Sequence, residues 1–467
     1  MKKHAYRARN INQFSLEKLG DELSERFIVA VDVAKREFVV GLAGPDGDVT
    51  EHLRFTHPIQ TRQFLQLLDQ LQARGTSLEV VMESTGTYGD ALRGQLLARG
   101  LPTFAVSPKR CHDAAEIFDG VPSLHDAKAT AILARLHAQG LSKPWGLHDQ
   151  GRRELRAAIE RRELYAHPLH HDQGRLEGLL ARHWPEFGEH LDPNNQKSAL
   201  ALLVQYPGPQ AVADAAEAAA QLLAKASRKA LPQDKIAGVI SSAHGSLGMP
   251  MLDEERRLLS ELAAQMLELW RELERIDRRI AELSQARPED SALAAAVGTV
   301  TTAVLVAMLG PASSYPSAGA YVKAMGLNLR ECSSGESRKA GSGLRITKRG
   351  PGLARKYLYL ATLRLIMSEP LARAWYEGRQ AYQGGKKIKA VVALMRKYAR
   401  GLWHVGRGQA FDAAKLFDTR RLLPQPADKI QRRRSAGGRW ASRTERMNGS
   451  TGDILARPEA HEARAES

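Results

Sequence analysis

Asp32 stands inside the apolar run IVAVDV (Ile28–Val33), where an ionised carboxylate without a partner costs several kcal/mol. Two further acids punctuate the chain: Glu83 closes LEVVME (Leu78–Glu83), and Asp126 lies at the start of HDAKATAILARL (His125–Leu136). Carboxylates are the hard oxygen ligands that suit Mg²⁺, which keeps part of its water shell and binds substrate phosphates. Two such ions can activate a nucleophile and stabilise the leaving oxygen of a phosphodiester displacement. Taken singly, each acid is an ordinary surface charge, cap or ion-pair partner, and Asp126 occupies an expected N-cap position. Their order is more specific than any one of them. Asp32, Glu83 and Asp126 are therefore expected to hold a pair of Mg²⁺ ions, with Mn²⁺ as a substitute.

For these acids to meet, distant segments must reach one edge of a sheet. Phe27–Val33, Glu37–Ala43 and Asp48–Phe55 run apolar or alternate, as strands do, and GPDG (Gly44–Gly47) turns between the last two. A helix follows over Thr61–Arg74, then a strand at Leu78–Glu83, a helix at Tyr88–Arg99, a strand at Thr103–Val106 and a helix from about Asp126 to Gln139. That order predicts a ribonuclease-H-like α/β domain. Its first and fourth strands are neighbours, so Asp32 and Glu83 converge, and a helix start brings Asp126 beside them.

From about Gly151 the pattern is helical and charged. Leu259, Leu262, Met266, Leu269, Leu273, Ile276, Ile280 and Leu283 alternate steps of three and four, which predicts a coiled coil that spaces or oligomerises the protein. The other reading is an amphipathic helix packed on its own domain. At Leu293 a new unit begins with AAAVGTVTTAVLVAMLG, a helix–turn–helix pattern resembling helix–hairpin–helix modules, which bind phosphate at a helix start. Lys339, Arg345, Lys348, Arg349, Arg355 and Lys356 surround the Gly/Ser-rich stretch Gly335–Gly350, and such side chains position nucleic acid through its phosphates. A solvated charged face is the alternative. HPLHHD (His167–Asp172) has no standard metal-site spacing and reads as surface. Beyond Leu422 the Arg-rich, apolar-poor chain reads as a disordered tail.

The chain has 467 residues, enough for two or three domains, and a net charge of +16, which points to a polyanionic partner. Two cysteines, Cys111 and Cys332, make neither a disulfide framework nor a thiolate zinc site, so a reducing compartment is expected. The start, MKKHAYRARNINQFS, is basic without an apolar core, and no run approaches a membrane span. A soluble intracellular protein without membrane attachment follows.

The stretches VDVAK (Val31–Lys35), MESTGTYG (Met82–Gly89), VSPKRCHD (Val106–Asp113) and HDAKATAILARL together resemble the DEDD transposases of the insertion-sequence 110 family. HWPEF (His183–Phe187), LLVQYPGP (Leu202–Pro209), AYVKAMGLN (Ala320–Asn328), SSGES (Ser333–Ser337) and ITKRG (Ile346–Gly350) extend the likeness over about nine tenths of the chain. The resemblance implies a recombinase that excises and inserts its own mobile element, guided to DNA by a structured bridge RNA. It also implies a bacterial, nucleoid-associated cytoplasmic location and a homo-oligomer, dimer or tetramer, with a composite site built across protomers. The implied layout is a polar lead (1–25), a RuvC-like catalytic domain (26–150), a helical linker with a coiled coil (151–290), a helical C-terminal transposase domain with a serine loop (291–415) and a basic tail (416–467).

On the same resemblance Ser334, before Gly335, is the nucleophile, with Ser333 as runner-up. Without it this is a flexible Ser/Gly loop. The family pattern ends in two aspartates three residues apart; Asp126 matches the first, but Ala129 stands at the second. Asp113, Glu116 and Asp119 lie upstream and could supply the missing oxygen, with Asp119 taken as the fourth ligand; water, or an inactive copy, are the other solutions. The competing functions are a RuvC-like nuclease or junction resolvase that uses water, and a nucleic-acid-binding remnant.

Overall fold

Val, Ile and Phe dominate the first long strand, RFIVAVDV, and five of its eight side chains are buried, as a central strand covered on both faces requires. The computed structural model describes residues 7–17, 26–84, 86–121, 125–287, 290–331, 344–382 and 384–417. Cys332, Ser333, Ser334, Lys339 and the basic tail from 418 onward lie outside the described residues. The chain divides into two compact units, Met1–Asp149 and Gln150–Ser467.

The first unit carries β1 (Arg9–Asn10), β2 (Arg26–Val33), β3 (Glu37–Ala43), β4 (Val49–Thr56), β5 (Ser77–Glu83), β6 (Thr103–Val106) and β7 (Lys143–Pro144). They form one sheet in the order β1-β4-β3-β2-β5-β6-β7. β2, β3 and β4 are antiparallel neighbours, whereas β5 and β6 run parallel to β2. This is the ribonuclease-H-like arrangement expected of a RuvC-like domain. The two-residue edge strands β1 and β7 are too short to leave a periodic signal, and the sequence reading placed β1 in a polar lead.

Alternation along β2 divides the core. Phe27, Val29 and Val31 pack with α1 (Thr61–Ala73) and α2 (Asp90–Ala98), while Ile28 and Ala30 face α3 (Pro108–Asp113) and α4 (Asp126–Ala138). Alanines let α4 lie close to the sheet, and Gly41 on β3 completes the fit: a Cβ there would come 2.9 Å from Thr130 Oγ1.

The second unit is helical apart from one short ribbon. It runs α5 (Gln150–His183), α6 (Phe187–His190), α7 (Lys197–Gln205), α8 (Pro209–Asp214), α9 (Ala216–Ala226), α10 (Gln233–His244) and α11 (Asp253–Gln285). Then come α12 (Ser291–Val297), α13 (Thr299–Leu309), α14 (Ala318–Ala324), β8 (Leu329–Arg330), β9 (Arg345–Ile346), α15 (Gly352–Ser368), α16 (Pro370–Tyr382), α17 (Lys387–Val405) and α18 (Ala413–Leu416). The heptad face of α11 is closed within the chain. Leu259, Leu262, Met266, Leu273, Ile276 and Ile280 are buried in cores shared with α5, α7 and α13. Arg162 pairs with Asp277 and His183 approaches Glu255, so α5 and α11 run antiparallel. The apolar stripe expected to form a coiled coil is thus covered by α5, α7 and α13 of the same protomer. A further core joins α12–α15 and α17.

Candidate active site

Strand parity decides where the acids point. Asp32 shares its face of β2 with Ile28 and Ala30, and Glu83 shares its face of β5 with Val81, so both look toward α4. The last backbone pair of the two parallel strands is Val31 with Met82. Asp32 and Glu83 come next, at the carboxyl ends of adjacent strands, where ligands of open α/β sheets bind. Asp126 is the first residue of α4, but it does not cap the helix. His125 does, its Nδ1 accepting from Lys128 N at 3.3 Å, which leaves the exposed Asp126 carboxylate available.

Asp32 feels the charges of the other two acids. Burial, then the charges of Asp126 and Glu83, push Asp32 up to about 6, against a hydrogen bond from the backbone of Val33. Glu83 is also raised by burial, and the Cys111 thiol donates a hydrogen bond that partly offsets it. Burial and the negative charges of Glu83 and Asp32 push that thiol up to about 12, so Cys111 is a neutral donor rather than a thiolate. Among the described residues no three His, Cys, Asp or Glu side chains already surround a single point at ligating distance. The acids are coupled through space, not pinned together. Their chemistry, hard carboxylate oxygens with Asp32 raised by burial and by the charges of the other two, nonetheless fits a hard divalent cation.

Asp119 has a different partner. Its Oδ1 accepts from Lys128 Nζ at 2.8 Å and from Val121 N at 3.0 Å, and Lys128 also donates to Val121 O at 2.6 Å. Lys128 is 3 % exposed, so an ammonium two residues after Asp126 is buried and clamps the preceding loop. Ala129 is buried beside it. The sequence does not single out Lys128, and it marks Cys111 only as a cysteine without a disulfide or zinc role. A lysine between alanines on the packed face of a helix is the signal that could have marked Lys128.

α4 is also anchored at its far end. His137 Nε2 lies 2.8 Å from Glu79 Oε2, which Arg26 holds from β2, and Arg135 pairs with Asp48 at 2.8 Å.

In the second unit, β8 and β9 pair at the two ends of residues 332–343. Thr347 N donates to Asn328 O and Lys348 N to Gly326 O, and Gly326 is at φ +72 with a Cβ position only 2.7 Å from Arg349 N. Of the expected phosphate ligands, Arg345, Lys348 and Arg349 are exposed. Arg355 instead donates to Met325 O and Gly350 O, holding the ribbon base, and Lys356 is paired with Glu163 of α5 at 2.7 Å. The turn between α12 and α13 is Gly298, at φ +84, as the helix–turn–helix pattern requires. Arg364 crosses it, donating to Val297 O and Thr301 Oγ1. No helix among the described residues is long and apolar enough to cross a membrane.

Two family models match the sequence. One, described as a DEDD transposase of the IS110 type, matches residues 29–185, and the other, described as the transposase IS116/IS110/IS902 family, matches residues 294–377. Together they cover just over half of the chain. Among solved structures, T. thermophilus RuvC in complex with Holliday junction substrate is 15% identical, with a TM-score of 0.20, covering 26% of this chain and 99% of that one. No curated protein matches.

Proposed function

Because the chain belongs to the IS110 family of DEDD transposases, we propose that it cuts and rejoins DNA with two sets of groups: the carboxylates of Asp32, Glu83 and Asp126, and the hydroxyl of Ser334. The observation that carries this reading is the convergence of Asp32 and Glu83 at the ends of adjacent strands, with Asp126 close enough to raise Asp32. Mg²⁺ held by these carboxylates would supply Lewis-acid stabilisation of the leaving oxygen. Ser334 Oγ attacks a DNA phosphorus and loses its proton, forming one P–O bond as the strand's own P–O bond breaks and its hydroxyl leaves protonated. A strand hydroxyl then attacks the phosphoserine and restores the serine. No bond energy is lost between the steps.

The acids belong to one compact unit and the serine to the chain of the other. The proposed chemistry brings them together across protomers of a homo-oligomer, with the element's own structured RNA choosing donor and target DNA. The charge of +16 favours such polyanionic partners. Asp119 ranks last as a metal ligand, since Lys128 already occupies it. Ala129 motivates the second reading, a nucleic-acid-binding remnant, because a buried methyl group cannot ligate metal.

A plasmid recombination assay with the flanking non-coding RNA, comparing wild type, Asp32→Ala and Ser334→Ala, separates these readings. The proposal expects recombination from wild type alone. Strand cutting that survives Ser334→Ala would point to hydrolysis by water, and a wild-type chain inert with Mg²⁺ and Mn²⁺ would point to the remnant.

A further inference from the structure

α17 bears no acidic residue along its length, KIKAVVALMRKYARGLWHV. This contrasts with α11, where Arg256, Arg257, Arg271 and Arg279 each pair with an acid three residues away. On α17, Arg396, Arg400 and His404 recur at every fourth position, about 6 Å apart along the axis, with Lys397 beside them. The like charges of Arg396 and Arg400 at this spacing destabilise a helix unless something neutralises them.

These side chains line a cavity of about 530 Å³ closed on one side by α18, which adds Lys415. Gly401, one turn before the end of α17, lets α18 lie this close: a Cβ there would come 3.2 Å from Leu416 Cδ1. One acid, Asp412, lines the cavity, and its Oδ1 is spent on the amide of Ala414 as the cap of α18. Among the described residues no carboxylate pairs with Arg396, Arg400 or Lys415. Burial and the charge of Arg400 lower Arg396, whose Nε donates to Leu327 O at 2.8 Å. Among the described residues, the groove thus gathers three cations, Arg396, Arg400 and Lys415, that carry no carboxylate partner.

We propose that the α17–α18 groove binds the phosphodiester backbone of a nucleic acid strand, through Arg396, Arg400 and Lys415. This surface is separate from the ribbon bearing Arg345, Lys348 and Arg349, and it was not among the residues marked by sequence. Guanidinium and ammonium groups here position the strand without reading its bases. The inference does not depend on the chemistry of Asp32 or Ser334, so it stands or falls apart from the recombination assay.

The test uses the full chain carrying Arg400→Gln and Lys415→Gln together, since neither side chain makes a hydrogen bond or ion pair that holds the described fold. Binding is followed by fluorescence anisotropy across a salt series, with the flanking non-coding RNA and with an arbitrary DNA duplex. Two lost phosphate contacts should weaken binding about tenfold or more at low salt and flatten the log K against log salt slope by roughly 1.4 to 1.8. The paired variant Arg400→Lys with Lys415→Arg should retain the wild-type slope. A loss confined to RNA assigns the groove to the guide, one confined to the duplex assigns it to DNA, and either supports the proposal. Unchanged affinity and slope with both probes would overturn it, as would an equal loss in the charge-conserving variant.

Discussion

Lys128 Nζ lies 2.8 Å from Asp119 Oδ1, and only 3 % and 17 % of the two side chains is exposed. A buried pair of this kind is costly to break from one side, because the remaining charge is stranded. Lys128→Met should therefore destabilise the first unit by about 3 kcal/mol or more, and Asp119→Asn by somewhat less, since the amide oxygen can still accept from Lys128. If Asp119 serves structure rather than metal, Asp119→Asn lowers the melting temperature while Mn²⁺ affinity by calorimetry stays within a few-fold of wild type. A collapse of Mn²⁺ affinity with an unchanged melting temperature would make Asp119 a ligand.

Asp32 gives the site a pH signature. Burial and the charges of Asp126 and Glu83 raise its pKa in the folded chain from 3.8 to about 6. Folding therefore favours the neutral acid. The stability that this group contributes is complete below about pH 4 and is lost as pH rises through about 6. A bound divalent cation reverses the preference by favouring the carboxylate. Metal-free protein should melt lower at about pH 7 than a scan of Asp32→Asn would suggest, and stabilisation by Mg²⁺ should grow between about pH 5 and pH 7. Differential scanning fluorimetry with chelator or with Mg²⁺ reads both effects. Equal pH trends for wild type and Asp32→Asn would remove the site's role.

How much of this the sequence disclosed depends on whether a feature is local. β2 and β5 were legible because dense Val, Ile and Leu runs leave no other good conformation, and parity then carries Asp32 and Glu83 to one face. The stripe on α11 was equally plain, but a heptad records an apolar face, not what covers it. The covering helix α5 has a sparser stripe around Leu155, Ile159 and Leu169, interrupted by Pro168, so its pairing with α11 was invisible. Lys128 and Asp119 are nine residues apart, and their meeting depends on a loop path that no periodicity encodes. His125 took the cap expected of Asp126 because its ring nitrogen reaches the Lys128 amide. The exposed cations at the β8–β9 ribbon could not be told from the structural ones: Arg355 and Lys356 have the same composition signature as Arg345 and Arg349, yet they answer to carbonyls and to Glu163.

Ala129 invites a gain-of-function experiment. It lies one turn into α4 on the buried side, where the family pattern has its second aspartate. Ala129→Asp should cost several kcal/mol in the metal-free protein at neutral pH, because a further carboxylate joins a cluster whose members already repel. With Mn²⁺ the order should invert: affinity rises about tenfold, and the stability deficit shrinks in proportion. Calorimetric titration alongside melting curves distinguishes this from simple damage. A variant that is destabilised and binds Mn²⁺ no better would show that position 129 does not reach the metal.

Arg162 ties three parts of the second unit together. Its Nε and Nη2 reach Asp277 Oδ1 and Oδ2 of α11 at 2.6 and 3.2 Å, and its Nη1 donates to the Tyr357 hydroxyl of α15 at 2.7 Å. Tyr357 in turn donates to Glu163 at 2.7 Å, and Lys356 donates to the same carboxylate. Burial opposes ionisation of Glu163, but these donors hold its pKa below the usual range. Such a two-pronged, partly buried contact is worth more than an exposed pair, which contributes at most about 1 kcal/mol. Arg162→Leu should cost about 2 to 4 kcal/mol, since it leaves Asp277 unpaired between α5 and α11. Tyr357→Phe should cost about 1 kcal/mol alone and less in the Arg162→Leu background, because the two share one network. A double-mutant cycle by chemical denaturation measures that coupling. Strict additivity would mean that Arg162 and Tyr357 stabilise α5 independently and that α15 is not fastened to the α5–α11 pair through them.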